Sequence, residues 1–217
     1  MIATSDLTFC YTGSDLLTFP NVNCKAGGQL LILGDSGSGK TTLLHLICGL
    51  LKPLSGSVEI AGVQVSDLDG VTLDKFRGEN IGIVFQQAHF VQSLTVSENL
   101  ALPALMTKSG ESSEELRERT RGLLKRLRLE HKADSLPNEL SVGEQQRASI
   151  ARALIHKPKV VFADEPTSAL DDKSTEAVIS LLEEETRLAG ACLIIVTHDQ
   201  RLKSRYSDRV ELKSLAL

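Results

Sequence analysis

One glycine-rich segment, residues 34–41 with the sequence GDSGSGKT, restricts the fold of this chain more than any other feature. Residues 30–33 before it are all aliphatic, which is typical of a parallel strand buried on both faces. After it, leucine and isoleucine recur at helical spacing from Leu43 to Leu50, until Pro53 ends the pattern. A strand, a glycine loop and a helix in this order predict an α/β fold with the loop at the carboxyl edge of a parallel sheet.

The chemistry of this segment points to phosphate. It matches the pattern G-x-x-x-x-G-K-[ST], in which glycines let backbone N–H groups approach anionic oxygens without obstruction by a Cβ. The helix that starts there adds the positive end of its dipole. We expect Lys40 to reach the β- and γ-phosphates of a nucleoside triphosphate and the Thr41 hydroxyl to bind Mg²⁺; the alternative is a glycine loop that matches by chance. The predicted phosphate-binding residues are Gly34, Asp35, Ser36, Gly37, Ser38, Gly39, Lys40, Thr41 and Thr42.

A second chemical signal is a pair of carboxylates after another apolar run. Residues 160–163 predict a buried strand, and Asp164 and Glu165 follow it. Parallel strands present ligand chemistry at their carboxyl ends, so both side chains should face the glycine loop. We expect Asp164 to hold Mg²⁺ through water and Glu165 to orient and polarise the attacking water. The competing interpretation is that both carboxylates cap the helix that follows Pro166.

Composition and charge narrow the class of protein. The chain has 217 residues, of which 41% are hydrophobic and 24% charged, and this suits one globular domain with room for an inserted subdomain. The formal charge of −4 gives no basic excess, so we expect no nucleic-acid partner. The four cysteines form no C-x-x-C pair, which favours reduced thiols in a cytosolic protein. The sequence lacks a signal-peptide pattern and a bilayer-spanning apolar stretch, so we expect a cytoplasmic protein that reaches a membrane only through a partner.

The remaining patterns indicate a β-rich amino-terminal layer and a helical middle. Strand-like segments are found at residues 7–10, 16–19, 58–60, 63–65, 81–85 and 193–196. Ala61-Gly62 predicts a hairpin between two of them. From residue 97 to residue 154 the sequence becomes helical and charged, and its densest charge run, residues 114–128, is interpreted as a solvated helix face.

A third segment, residues 140–147 with the sequence LSVGEQQR, resembles the LSGGQ signature of ATP-binding-cassette (ABC) ATPases. Gln86 lies where that family has its Q-loop glutamine, residues 168–171 (SALD) match its D-loop, and His198 matches its switch histidine. Tyr11 is placed like the aromatic residue that stacks on adenine, and a packed strand aromatic is the competing interpretation. These motifs occur in the order of the family, and the resemblance covers essentially the whole chain.

The resemblance implies a P-loop NTPase core with a mixed or parallel sheet, an N-terminal antiparallel β layer and an inserted helical subdomain at about 87–155. All of this would form one nucleotide-binding domain, residues 1–217. The implied ligands are ATP and Mg²⁺, with ATP held between two copies of the chain whose closure its binding energy drives. The implied catalytic residues are Glu165, His198 and Gln86, and the implied metal-site residues are Thr41, Gln86 and Asp164. Further nucleotide contacts are implied for Ser141, Gly143, Glu144 and Asp171.

The chemistry of the signature segment can also be interpreted from its own residues. Ser141, followed three residues later by Glu144, is a capping-box pattern, so a helix should begin at Ser141 and run towards Leu154. The N-terminus of that helix is an anion-binding site. Val142 replaces the first family glycine and Glu144 replaces glutamine. We favour Glu144 as a cap over a direct phosphate contact, and the form of the motif resembles the lipoprotein-release, macrolide-efflux and cell-division branch.

A cassette without a membrane span resembles the engine of a transporter whose permease is a separate chain. The resemblance puts permease contact at a groove that includes residues 86–100, whose apolar side chains could equally belong to the core. We expect a homodimer that powers an export or lipoprotein-extraction permease from the cytoplasmic face of the membrane. The same ATPase could instead serve a regulatory or force-transmitting task at the cell envelope. A DNA-repair ATPase, which needs a long coiled coil, and a phosphate-loop kinase, which leaves residues 140–147 unexplained, fit less well.

Overall fold

The computed structural model describes residues 1–107, 112–168, 170 and 172–212. In these residues the strands are β1 (Ile2–Phe9), β2 (Leu17–Thr18), β3 (Asn23–Cys24), β4 (Gln29–Gly34), β5 (Ser55–Ile60), β6 (Val63–Gln64), β7 (Ile81–Val84), β8 (Val160–Asp164), β9 (Cys192–Thr197) and β10 (Arg209–Leu212). The helices are α1 (Lys40–Ile47), α2 (Gly70–Asn80), α3 (Val96–Met106), α4 (Ser113–Arg126), α5 (Val142–Leu154) and α6 (Asp172–Ala189). Short 3₁₀ turns are found at Val65–Asp67, Glu130–Lys132, Pro137–Glu139 and Gln200–Ser204.

A parallel sheet with the strand order β10-β4-β9-β8-β7 carries the candidate site. Every residue of β8 and β9 is buried, as the continuous aliphatic composition of these strands predicts. Alternate residues of β4 point to opposite faces, so Leu31 packs in one hydrophobic cluster and Ile32 in the other. The parallel register brings the carboxyl ends of β4, β8 and β9 to the same edge.

A second sheet is antiparallel and is built from the amino-terminal third of the chain. Its strand β1 pairs with β2, β3 and β5, and β5 pairs with β6 through the predicted hairpin at Ala61-Gly62. Ile2 and Ile60 from this sheet share one hydrophobic cluster with Leu43 of α1. The predicted fold class, an α/β core with an antiparallel layer and a helical segment, is confirmed.

Three helices, α3, α4 and α5, lie between β7 and β8 in the sequence. Each begins with a capping box, in which the N-cap side chain accepts from the N3 backbone while the N3 glutamate accepts from the N-cap backbone. Their buried residues Leu100, Leu123 and Ile150 belong to one hydrophobic cluster, which fixes the three helices against one another. Helix α5 also packs against β7 and α6, so its N-terminus is held by a rigid support.

The structure corrects some element boundaries and adds elements that the sequence patterns do not predict. Helix α1 ends at Ile47 and not near Pro53, because Gly49 adopts φ +66 and the N–H of Leu50 turns back to the carbonyl of His45. Helix α2 and the strands β3 and β10 are elements that the patterns miss. No helix in the described part of the chain is long and apolar enough to cross a bilayer.

Candidate functional site

The glycine loop, residues 34–41, connects β4 to α1, and a side chain at its glycine positions would strain the backbone or clash with neighbouring atoms. Gly37 and Gly39 have φ values of 80° and 88°, in the left-handed region that glycine adopts without steric cost. A Cβ on Gly34 would lie 2.4 Å from Ser38 Oγ and 3.0 Å from the carbonyl oxygen of Leu212, so this position has no room for a side chain. The loop therefore presents backbone N–H groups at the start of a helix, the arrangement that binds phosphate.

Lys40 is buried at the start of α1, and its ammonium group reaches back over the loop. Its Nζ donates hydrogen bonds to the carbonyl oxygens of Gly34 (2.8 Å) and Asp35 (2.9 Å), and lies 3.7 Å from Glu165 Oε1. The buried hydroxyl of Ser38 has no hydrogen-bond partner among the described residues. A cation and an unused donor in one concave loop match an anionic ligand.

Asp164, the last residue of β8, has the properties of a ligand for a hard cation. Its Oδ2 accepts a hydrogen bond from Thr41 Oγ1 at 3.4 Å, and its buried Oδ1 has no partner in the described part of the chain. Burial, followed by the nearby charge of Glu165, raises the pKa of Asp164, because both disfavour the carboxylate. A bound cation would reverse that balance.

The oxygen donors of Asp164 and Thr41 fit Mg²⁺. This ion binds through one or two carboxylates together with water and phosphate, and does not need an all-protein cage. The described residues contain no group of three or more His, Cys, Asp or Glu side chains arranged to hold a metal ion.

Glu165 is held by several hydrogen bonds immediately after β8. It adopts φ 47°, which is uncommon for a residue with a side chain, and its N–H donates to the carbonyl of Val196 at 2.8 Å. Its Oε2 accepts from Thr197 Oγ1 at 2.8 Å, and its Oε1 accepts from the backbone N–H of His198 at 3.1 Å. The ring Nδ1 of His198 lies 2.9 Å from the same Oε1. The side chain of Glu165 is thereby fixed between the ends of β8 and β9.

Gln86 and Tyr11 lie at two further positions around this edge of the sheet. Gln86 is exposed beyond the end of β7, and its Nε2 donates to Ser168 Oγ at 3.3 Å. The phenol oxygen of Tyr11 lies 3.1 Å from Thr42 Oγ1, so Tyr11 is next to the first turn of α1. The residue is 46% exposed and its ring packs edge-on against Phe9, which leaves surface available for stacking.

The N-terminus of α5 carries the signature residues, and the predicted capping box is present. Glu144 Oε2 accepts hydrogen bonds from the Ser141 N–H (2.8 Å) and hydroxyl (2.7 Å), and the Glu144 N–H donates to Ser141 Oγ (3.4 Å). The helix begins at Val142, with Ser141 as its N-cap. Gly143 lies in the first turn, where a Cβ would meet only the guanidinium of Arg147 at 3.6 Å.

Comparison with known proteins decides the family. A model of the ABC transporter family matches residues 17–168 of this chain, which is more than half of it. The chain belongs to the ABC transporter family. It is an ATPase cassette of that family, as the motifs predicted.

Solved structures of ABC cassettes are similar over almost the whole length of this one. Two are dimeric structures of the bacterial cassette MJ0796, one of them in a post-hydrolysis state bound to ADP and Pi. Each is 39% identical, covers 99% of this chain and 95% of its own, and has a TM-score of 0.88. A third is CbiO1 from Clostridium perfringens, part of the transporter complex CbiONQ. It is 32% identical, covers 98% of this chain and 84% of its own, and has a TM-score of 0.87.

Within one copy of this cassette, the predicted site residues fall into two groups. In the first group, Lys40, Glu165 and His198 are joined by an ion pair and a hydrogen bond, and Thr41 donates to Asp164, the residue before Glu165. Ser141 and Gly143 belong instead to α5, which packs on β7, α3, α4 and α6, whereas α1 packs on β4, β8 and β9. Asp171 lies outside the described residues.

Two side chains in the neighbourhood are not identified by the motifs: Thr197 holds Glu165, and His131 lies 3.3 Å from Glu144 Oε1. Ser168, the first residue of the D-loop segment, accepts a hydrogen bond from Gln86. Thr197 directly precedes His198 at the end of a predicted strand, and that position is a signal that could have found it. No local sequence signal marks His131.

A groove of about 880 Å³ lies on the side of the cassette formed by α2, β7, α3 and α5. Its wall includes Val71 and Met106, which are 85% and 81% exposed, and Phe85, the residue before Gln86. Arg152 lines it as well, where its guanidinium donates to the carbonyl of His89 and lies 4.7 Å from the centre of the Phe90 ring. Exposed apolar side chains of this size in a groove are typical of a protein-binding surface.

Proposed function

We propose that this cassette hydrolyses Mg²⁺–ATP as a homodimer and powers a separate membrane permease of the export or lipoprotein-extraction type. Residues 1–217 would act as one nucleotide-binding domain, with a helical subdomain at about 87–155. The observation that carries the proposal is the linked group at the carboxyl edge of the parallel sheet: Lys40 within 3.7 Å of Glu165, and Glu165 within 2.9 Å of His198.

In the first step, the glycine loop and Lys40 bind the triphosphate. The Lys40 ammonium exchanges its bonds to the carbonyls of Gly34 and Asp35 for phosphate oxygens, and the Ser38 hydroxyl gains a partner. Thr41 and Asp164 would hold Mg²⁺, with Gln86 as a further contact, and the ion would neutralise charge on the phosphates. Tyr11, beside Thr42, is in position to stack on adenine.

Hydrolysis requires that water attack the γ-phosphate in line, and Glu165 is the residue suited to orient it. Its carboxylate is fixed by Thr197 and by the His198 backbone, so it cannot turn away from the loop without breaking two hydrogen bonds. A fixed acceptor of this kind positions water and takes up developing positive charge. The His198 imidazole, in contact with Glu165, steadies the same water or the γ-phosphate.

The proposed dimer rests on the separation between the residues around Lys40 and those at the start of α5. Ser141 and Gly143 form a helix start that can bind an anion, yet α5 packs on different elements from α1. A second copy would bring its own α5 N-terminus to the nucleotide. The dimeric structures of MJ0796 support this arrangement.

The permease would dock in the groove beside Gln86. Phe85 lies in the groove wall and the next residue is tied to Ser168, so a partner segment there could move the Gln86 contact. Binding through this groove would hold the cassette at the cytoplasmic face of the membrane. The membership of CbiO1 in a transporter complex supports a partner of this kind, and the form of residues 140–147 supports the lipoprotein-release, macrolide-efflux and cell-division branch.

The test uses Met106→Glu, which places a charge in the exposed groove without touching the nucleotide residues. We expect the wild type to co-purify from membranes with a multi-span protein, identified by mass spectrometry, and Met106→Glu to lose that protein while keeping basal ATPase activity. Leu188→Glu, another exposed apolar residue on a different helix, serves as the matched control.

The partner also separates the competing functions. A multi-span channel-forming permease supports transport, whereas a partner without a substrate pathway supports a force-transmitting role at the envelope. Retention of the partner by Met106→Glu would refute the docking site, and salt-sensitive DNA binding by the isolated cassette would favour a DNA-repair function.

A further inference from the structure

The hydroxyl proton of Ser141 is engaged within its own helix. The hydroxyl donates its one proton to Glu144 Oε2 at 2.7 Å and accepts from the Glu144 N–H at 3.4 Å. The Ser141 N–H is directed to the same carboxylate oxygen at 2.8 Å. A phosphate oxygen that approached Ser141 would therefore have to compete with a carboxylate for both donors.

His131 holds the other oxygen of that carboxylate. Its Nε2 lies 3.3 Å from Glu144 Oε1, and the Glu144 side chain is only 14% exposed. The hydrogen bonds from the Ser141 side chain and backbone, then those from His131 and the charge of Lys132, lower the pKa of Glu144 to about 2. Glu144 is thus a carboxylate at neutral pH, and its charge lies at the point where an anion is to be bound.

Two other capping boxes in the same chain show what the cap does by itself. In Thr95–Glu98 and Ser112–Glu115 the N-cap N–H and hydroxyl also donate to one carboxylate oxygen. This geometry stabilises a helix start wherever it occurs. At α5, in contrast, the N-cap is Ser141, the residue proposed to contact the nucleotide. The capping glutamate and the phosphate would therefore compete for the same Ser141 hydroxyl proton.

We propose that Glu144 is a positioning residue for the nucleotide-bound dimer: it retains the Ser141 hydroxyl in the cap, is itself retained by His131, and so raises the ATP concentration at which two copies close. This inference rests on the proposed function, because it needs Ser141 to meet the nucleotide of a second copy. It assigns a role to the two residues that the family motif leaves unexplained, the glutamate at position 144 and His131.

The test measures dimerisation against ATP concentration in a Glu165→Gln parent, in which hydrolysis does not deplete the nucleotide. Glu144→Gln keeps an amide oxygen to accept the Ser141 N–H but removes the charge that strengthens the hydroxyl bond. We expect its ATP midpoint to fall about fivefold, the difference between a charged and a neutral acceptor. His131→Ala leaves the cap itself intact, so it should shift the midpoint in the same direction by less. It should add nothing in the Glu144→Gln background, since His131 acts through Glu144.

Glu115→Gln is the matched control, because it makes the same substitution in the capping box of α4. Its midpoint should stay at the parent value. With Glu165 intact, Glu144→Gln should lower the KM for ATP and leave kcat unchanged, which a merely structural cap would not do.

An unchanged or higher midpoint in folded Glu144→Gln would overturn the proposal. If Glu144→Gln unfolds α5, the ATP midpoint of His131→Ala decides instead, and an unchanged or higher midpoint would overturn the proposal. A His131→Ala shift that is equal with Glu144 and with Glu144→Gln would also contradict the proposal. Failure of the Glu165→Gln parent itself to dimerise with ATP would refute the proposed function, and this inference with it.

Discussion

Replacing Glu165 by glutamine should separate catalysis from folding. The carboxylate Oε2 accepts from Thr197 Oγ1 at 2.8 Å, and Oε1 accepts from the His198 N–H at 3.1 Å and lies 2.9 Å from the His198 ring Nδ1. An amide has one acceptor oxygen, so one donor loses its partner, and the attraction to Lys40 is lost as well. A single unsatisfied donor costs about 1–2 kcal/mol, which lowers the Tm of a domain this size by about 2–8 °C.

The effect on hydrolysis should be much larger. Loss of a positioned base reduces turnover by about 10²–10⁴-fold, measured as phosphate release with saturating Mg²⁺–ATP. Glu183→Gln is the control: Glu183 is a similarly shielded carboxylate on α6, held by Arg205 at 2.8 Å and Tyr206 at 2.6 Å. It should lose comparable stability and keep its turnover per folded molecule. Turnover of Glu165→Gln within threefold of the wild type would refute the role of Glu165.

Other substitutions probe the cation site and a structural ion pair. Asp164→Asn should leave the apo Tm unchanged or slightly raised, since the raised pKa of Asp164 marks a buried carboxylate held at a cost. Calorimetry should also find that adding Mg²⁺ to ATP no longer increases the stability of this variant. For Glu183, burial opposes ionisation, but hydrogen bonds from Arg205 and Tyr206 outweigh it and lower the pKa. A lowered folded-state pKa stabilises the fold above the ordinary value of 4.5 and loses that contribution as pH falls. Urea titrations should therefore find the wild type more stable than Glu183→Gln at pH 7, with the difference shrinking below about pH 4.5.

Local periodicity was sufficient to predict the strands and the loop that build the site. Continuous aliphatic runs predict β4, β8 and β9, and a glycine pattern between a strand and a helix predicts the phosphate loop. Strand β10 was missed because it is a four-residue edge strand whose composition does not mark it. The end of α1 was missed because one left-handed glycine, Gly49, overrides the leucine pattern beyond it.

The supporting contacts of the site could not be predicted, because they join residues that are distant in sequence. Thr197 and Glu165 are 32 positions apart and meet only because β8 and β9 are neighbours in the parallel sheet. His131 reaches Glu144 across two 3₁₀ turns for which the sequence gives no strong signal. The motifs therefore predict which residues carry the chemistry, while the fold determines which residues hold them in place.

The nucleotide is proposed to lie between the glycine loop of one copy and Ser141 of another, and sedimentation of Glu165→Gln tests this arrangement directly. With Mg²⁺–ATP the protein should sediment at twice the 23.5 kDa mass of the chain, and without nucleotide at that mass. Introducing Ser141→Arg into the Glu165→Gln protein should leave ATP binding by the monomer intact and abolish the dimer. A protein that stays monomeric with ATP, or a Ser141→Arg variant that dimerises like its parent, would contradict the shared site.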